Sequence, residues 1–111
     1  MAERDPFAAL ADPTRRQIVE LLVDGGPTTA TSLAGGLDIS RQAVAKHLQL
    51  LADAGLASSE RVGRETRFQA TLSGLDDVRR WMERVESEWT GRLARLAAAV
   101  EDAADGGTDP A

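Results

Sequence analysis

Two short amphipathic stretches stand back to back in this chain, residues 29–38 (TATSLAGGLD) and 39–56 (ISRQAVAKHLQLLADAGL), with only a tight break between them. This feature constrains the fold most, because each stretch can bury its apolar face only if the pair turns sharply and shares one core. In the second stretch Ser40 is a good N-cap, and Val44, Leu48 and Leu51 recur at spacings of four and three, the inner face of a helix. Gly55 tolerates left-handed backbone and ends that helix after Ala54. The first stretch begins at another N-cap, Thr29, and carries Ala30, Leu33, Ala34 and Leu37 on one side. Gly35 and Gly36 weaken its end and permit a turn through Asp38, with Ile39 plugging the angle between the helices. The pair reads as a helix-turn-helix whose second member is the reading helix.

The outward face of that second helix carries Ser40, Arg41, Gln42, Ala45, Lys46 and Gln49, rich in donors for base edges and phosphates, and no carboxylate until Asp53. Two short helices around a glycine turn also occur in all-α proteins that touch no nucleic acid, so the residues C-terminal to the pair carry weight. After Gly55 come LASSERV, Gly63-Arg64-Glu65 and TRFQATL: two β-leaning runs around a glycine turn, with Arg61, Arg64 and Arg67 at or beside the tip. A hairpin placed directly after a reading helix can act as a wing along a phosphate backbone. The competing reading is a solvated hairpin whose charges prevent edge pairing.

The last third predicts one long helix. Ser73-x-x-Asp76 fits a start signature, and Leu75, Val78, Met82, Val85, Trp89, Leu93, Leu96 and Val100 follow at spacings of three and four. A core of about 70 residues can cover only part of such a stripe. Trp89, Leu93, Leu96 and Val100, joined by Phe7 and Leu10, are therefore expected at a dimer interface, with Trp81 left between the chain's own core and that interface. Near the other end, Asp12 caps a helix with Pro13 at its first position and Ile18, Leu21 and Leu22 inside, ending at Gly25-Gly26-Pro27. Arg16 reads as a surface residue, and Arg15 is open between phosphate contact and surface. The expected fold is mainly α with a small β-hairpin: a winged helix-turn-helix over 1–71, a C-terminal dimerisation helix over 72–104 in the same compact domain, and a disordered tail over 105–111.

Composition agrees with one small soluble domain of 111 residues, 42% hydrophobic. The net charge of −5 is unevenly spread. Residues 40–67 hold five basic side chains (Arg41, Lys46, Arg61, Arg64, Arg67) against three acidic ones (Asp53, Glu60, Glu65), whereas 72–111 hold five arginines against nine acids. Acid away from the reading surface suppresses non-specific adhesion without opposing specific docking. Neither a bilayer-spanning stretch nor the apolar core of a secretory signal is expected, so a cytoplasmic location and no membrane partner are the default. With no cysteine and the single His47 on the reading helix, no nucleophilic or zinc-hydrolytic constellation can be assembled, so no enzyme is expected. His47 is expected to be a partly buried packing and hydrogen-bonding group.

Leu10-Ala11-Asp12-Pro13-Thr14-Arg15-Arg16, Ile18, Leu21-Leu22, Leu33-Ala34, Ser40 through Leu51, Ala54-Gly55-Leu56 and Gly63-Arg64 together resemble the ArsR-type winged helix-turn-helix repressors of bacteria, over about residues 5–70. The resemblance implies a homodimeric repressor that binds a palindromic operator near its own promoter and is released by a signal. The family's base-reading positions fall on Arg41, Gln42, Ala45 and Lys46, and Ala45 lacks the hydroxyl of the Ser that many members carry. Members that sense soft metals use cysteines at the start of the first motif helix, where this chain reads Thr29-Ala30-Thr31-Ser32-Leu33. A second family site uses His and carboxylates on the last helix; here only acids such as Glu86, Glu101, Asp102 and Asp105 are present, so neither metal nor cofactor is expected. The inducer is unknown. Two alternatives remain: a winged-helix protein-interaction module, and a regulator with an apolar ligand beside Trp81, Met82 and Trp89.

Overall fold

The computed structural model describes residues 5–107, with side chains through 104. In order these form α1 (Pro6–Leu10), α2 (Pro13–Gly25), α3 (Ala30–Leu37), α4 (Arg41–Asp53), β1 (Ala57–Val62), β2 (Glu65–Ala70) and α5 (Ser73–Gly107). The mainly helical architecture with one antiparallel hairpin matches the expected class. Two units make up the chain, Met1–Val78 and Arg79–Ala111.

In the first unit, local signals act where the sequence places them. The side chains of Asp12, Thr29 and Ser40 accept from the backbone N–H groups of Arg15, Ser32 and Ala43 and so cap α2, α3 and α4. Asp38 turns the chain between α3 and α4 in the left-handed region, φ 57°. The end of α4 is a Schellman motif: Leu56 N–H donates to the Leu51 carbonyl at 2.8 Å and Gly55 N–H to that of Ala52 at 3.1 Å. Gly55 has φ 77°, while Leu51 and Leu56 are both fully buried, the apolar contact that accompanies this stop. The core gathers Ile18, Val19 and Leu22 from α2, Leu33 from α3, Val44, Leu48 and Leu51 from α4, and Leu56. Leu21, expected inside, is exposed, and Val19 takes its place because it shares the α2 face that carries Ile18 and Leu22.

Three features were not anticipated. Helix α1 is started by Asp5, whose carboxylate accepts from Phe7 N–H at 2.9 Å, with Pro6 at the first position. Thr28 forms a bridge with Phe68, N–H to carbonyl in both directions at 3.0 and 2.7 Å, so the linker before α3 pairs with the free edge of β2. The first unit runs on into α5 as far as Val78, and the first turn of that helix is tied back to the end of α4. Gly74 N–H donates to the Gly55 carbonyl at 2.8 Å, and the Thr71 and Ser73 hydroxyls donate to the same oxygen at 2.6 and 3.0 Å. Ser73 is thus already helical and its hydroxyl is turned to Gly55, while Leu72 accepts the first α5 bond from Asp76 N–H at 2.8 Å.

A side chain at Gly74 would bring Cβ to 2.6 Å from the Ala54 carbonyl oxygen and 3.0 Å from that of Gly55. Both are backbone atoms and cannot swing aside. Gly74→Ala is therefore expected to destabilise by about 1–3 kcal/mol in urea unfolding, as overpacking does; a change inside about 0.5 kcal/mol would show that the junction relaxes freely.

In the second unit, the remainder of α5 continues to Gly107, three residues beyond the expected helix end at 104. Ala103 and Ala104, strong helix formers, carry the backbone ladder onward. The rest of the expected tail, 108–111, lies outside the described residues.

Candidate nucleic-acid interface

Burial of Val44, Leu48 and Leu51 against the core forces the opposite side of α4 outward, and Ser40, Arg41, Gln42, Ala45, Lys46 and Gln49 are all exposed. At 3.6 residues per turn these form two rows. Arg41, Ala45 and Gln49 make one row and line a groove of about 640 Å³ together with Arg61, Arg64, Glu65, Thr66 and Phe68 of the hairpin. Gln42 and Lys46 make the adjacent row and lie outside the lining. The Gln49 amide donates to the Asp53 carboxylate at 3.0 Å, so one of its donors is engaged within the helix.

Strand pairing sorts the hairpin arginines. Arg61 faces Thr66 across the ladder and Glu60 faces Arg67, so alternation puts Arg61 and Arg67 on opposite sides of the sheet. The two-residue turn is Gly63-Arg64; Gly63 has φ 64° and Arg64 is not in the positive-φ region, the pattern of a II′ turn. Arg61 and Arg64 line the groove and Arg67 does not. Arg67 instead donates to the Glu65 carboxylate at 3.4 Å, with both side chains about half exposed (49% and 57%), a contact of small energy. The three wing arginines expected to act alike are therefore not equivalent.

The groove also gathers hydroxyls that sequence reading treated only as helix-start or strand residues: Thr29, Thr31 and Ser32 at the beginning of α3, and Thr66. Their capping pattern was readable, but the approach of α3 to the wing depends on the Thr28–Phe68 bridge, for which two isolated residues give no signal.

Arg15 and Arg16, at the start of α2, serve α1. Arg15 Nε donates to the Ala9 carbonyl at 2.7 Å and its Nη2 to that of Ala8 at 3.3 Å, while Arg16 Nη1 donates to the Leu10 carbonyl at 2.7 Å. These carbonyls belong to the last turn of α1, where helical partners run out, and that of Ala8 also accepts from the Ala11 N–H at 3.2 Å. The backbone N–H of Arg15 donates to the Asp12 carboxylate and holds its pKa below the usual carboxylate value. Partial desolvation opposes this, and the charge of Arg15 reinforces it, as a protonated His47 would. His47 is half-buried, with Nδ1 3.4 Å from Arg15 Nη1.

Of the side chains expected at a dimer interface, Leu10 packs partly buried against the core of the first unit and Phe7 is exposed. In the second unit Trp89, Leu93, Leu96 and Val100 are 47–67% exposed, and Trp81, Met82 and Val85 are exposed too. A surface depression that includes Trp89 is completed by Val85, Glu88, Arg92 and Arg95, without Trp81 or Met82. Among the described residues, no group of three or more His, Cys, Asp or Glu is placed to hold a metal ion, and no helix is long and apolar enough to cross a membrane.

A helix-turn-helix domain family model matches residues 10–60. The transcriptional repressor SdpR of Bacillus subtilis is 37% identical over 76 residues, which cover 68% of this chain and 83% of the relative. An ArsR-like transcriptional regulator from Rhodococcus sp. RHA1 superposes with a TM-score of 0.74 at 43% identity, covering 88% of this chain and 92% of that one. The homodimeric winged helix-turn-helix DNA-binding domain of a possible ArsR-family regulator from Mycobacterium bovis aligns with a TM-score of 0.58 at 25% identity, covering 95% of this chain and 80% of that one. With similarity of this extent to a transcriptional repressor and to an ArsR-like regulator of the same fold, the chain belongs to the ArsR-type winged helix-turn-helix transcriptional regulators.

Proposed function

We propose that this chain is a homodimeric repressor that reads a palindromic operator with α4, blocks transcription from it, and acts in the cytoplasm. The observation that carries this reading is the groove in which Arg41, Ala45 and Gln49 of α4 face Arg61 and Arg64 of the wing. Its lining has three arginines and one acid, Glu65, whose carboxylate is paired with Arg67. In this reading Arg41, Gln42, Ala45 and Lys46 meet base edges in the major groove, Ser40 and Gln49 flank them, and the wing arginines hold phosphate. The similarity to a named repressor and to a homodimeric DNA-binding domain supports the regulatory role and the pairing. Two reading helices about 34 Å apart match successive major grooves on one side of the duplex. The surface for pairing is the α5 stripe, Trp89, Leu93, Leu96 and Val100, with Phe7 as a further apolar contributor. No metal or other cofactor enters this scheme.

The direct test is a gel shift of the full chain with DNA from upstream of its own gene, across a salt series. One retarded complex of two chains on a site with two-fold symmetry is expected, and binding that ignores sequence would overturn the reading. Variants divide the surface further. Arg41→Ala and Gln42→Ala should relax sequence preference by about 1–3 kcal/mol per lost base contact. Arg61→Ala and Arg64→Ala should weaken all sequences evenly and flatten the salt slope by about one unit each. Arg67→Ala should flatten it less than either, since its guanidinium lies on the other side of the hairpin, on Glu65. Equal slopes for all three variants would refute this ranking.

A further inference from the structure

We propose that Arg15 and His47 form a positioning pair that seats the reading helix α4 only while His47 is neutral, so that protonation of His47 weakens DNA binding. The inference rests on α4 as the DNA-reading element. A guanidinium can donate hydrogen bonds but never accept them. With Arg15 Nη1 at 3.4 Å, Nδ1 of His47 must therefore present its lone pair, which puts the imidazole hydrogen on Nε2. The same guanidinium donates Nε to Ala9 and Nη2 to Ala8, so one planar group on α2 joins the open end of α1 to the middle of α4. A lysine has no such fork and cannot make these contacts together.

Adding a proton turns Nδ1 into a donor aimed at another donor and places two cations side by side. Among charged side chains, Arg15 and Asp12 of α2 face His47. The carboxylate of Asp12 offsets part of the repulsion, but it is already accepting from the Arg15 backbone N–H and cannot restore the lost hydrogen bond. Helices α1 and α3, which also pack on α4, contain no charged residue, and on β1 the charged positions are Glu60 and Arg61 in the outer half of the hairpin. His47 sits directly between Lys46, on the exposed face, and Leu48, fully buried in the core. Movement at His47 therefore tilts the row that the operator reads.

The direction of the effect separates this role from simple proximity to DNA. A histidine that merely lies near phosphate binds more tightly when it gains a proton. A positioning pair that breaks on protonation binds less tightly.

The test compares operator affinity of the full-length wild type, His47→Asn and Arg15→Met at fixed salt, at about pH 8 and about pH 5.5, the range over which histidine changes charge. The wild type is expected to lose roughly tenfold in affinity on acidification, the worth of a hydrogen bond to a charged group. His47→Asn offers an amide oxygen where Nδ1 stood and does not titrate; it should keep the affinity of the wild type at the higher pH and show less than about a twofold change. Arg15→Met should bind more weakly at both values and lose the pH dependence. Because the chain has a single histidine, its ¹⁵N spectrum reports this ring alone, and the Nε2–H tautomer is expected at the higher pH. An Nδ1–H tautomer, or wild-type affinity that holds or rises on acidification, would overturn the proposal. Failure of the wild type to select any duplex at the higher pH would instead defeat the DNA-binding reading, and the tautomer would still decide the state of the pair.

Discussion

Leu93→Asp combined with Leu96→Asp is expected, on the proposed pairing through α5, to leave the protein monomeric and to lower its affinity for the proposed operator by about two to four orders of magnitude. Both side chains are about half exposed on α5, 47% and 53%, in a stripe that continues through Val85, Trp89 and Val100. Each such side chain contributes about 1.5–3 kcal/mol when fully withdrawn from water, and a carboxylate buried without a partner reverses the sign. Neither residue belongs to the first unit, Met1–Val78, so its core and its groove should be intact in the variant. What is lost is the linkage of two reading helices, which makes the second half-site encounter intramolecular. Sedimentation equilibrium at micromolar protein and a gel shift on the same sample give the two readouts. A double variant that sediments as a dimer would show that the α5 stripe is not the pairing surface.

The second large effect is on stability. Leu48→Ala removes a fully buried side chain at the centre of the α4 face that meets the core, and the expected cost is about 2–5 kcal/mol. At about 4–8 °C per kcal/mol for a domain of this size, the melting temperature should fall by at least about 8 °C. The neighbouring Lys46→Ala is the control: exposed and without a core contact, it should change stability by no more than about 0.5 kcal/mol while weakening DNA binding. Calorimetry of both variants, with gel shifts well below the lower melting temperature, separates the inner face of α4 from the outer one. Comparable melting temperatures for the two would contradict the seating of α4 on the core through Leu48.

Much of the site was readable because its determinants are local. Ser40, Thr29 and Asp12 act on N–H groups three residues away, and Gly55 acts on the turn that contains it. Periodicity then decided which side of α4 faces water, since burial of Val44, Leu48 and Leu51 turns Arg41, Gln42, Ala45, Lys46, Gln49 and Asp53 outward. The hairpin was legible from its glycine turn, but the sides that Arg61 and Arg67 take required the register, which a sequence shows only once the turn residues are known. Helix α1 was missed because five residues are too few for a periodic signal.

From residues alone came the helix-turn-helix with its caps and stops, the wing, the polar reading face and the apolar stripe of α5, all set by interactions spanning at most a few residues or by the period of one element. Tertiary structure decided what those elements do to one another: Arg15 on the end of α1 and beside His47, Gly74 against the carbonyls that end α4, and Thr28 on the edge of β2. Each joins residues distant in sequence through one or two hydrogen bonds or one close backbone approach. A single residue type carries no mark of such a contact until packing of the core brings the partners within 3–4 Å.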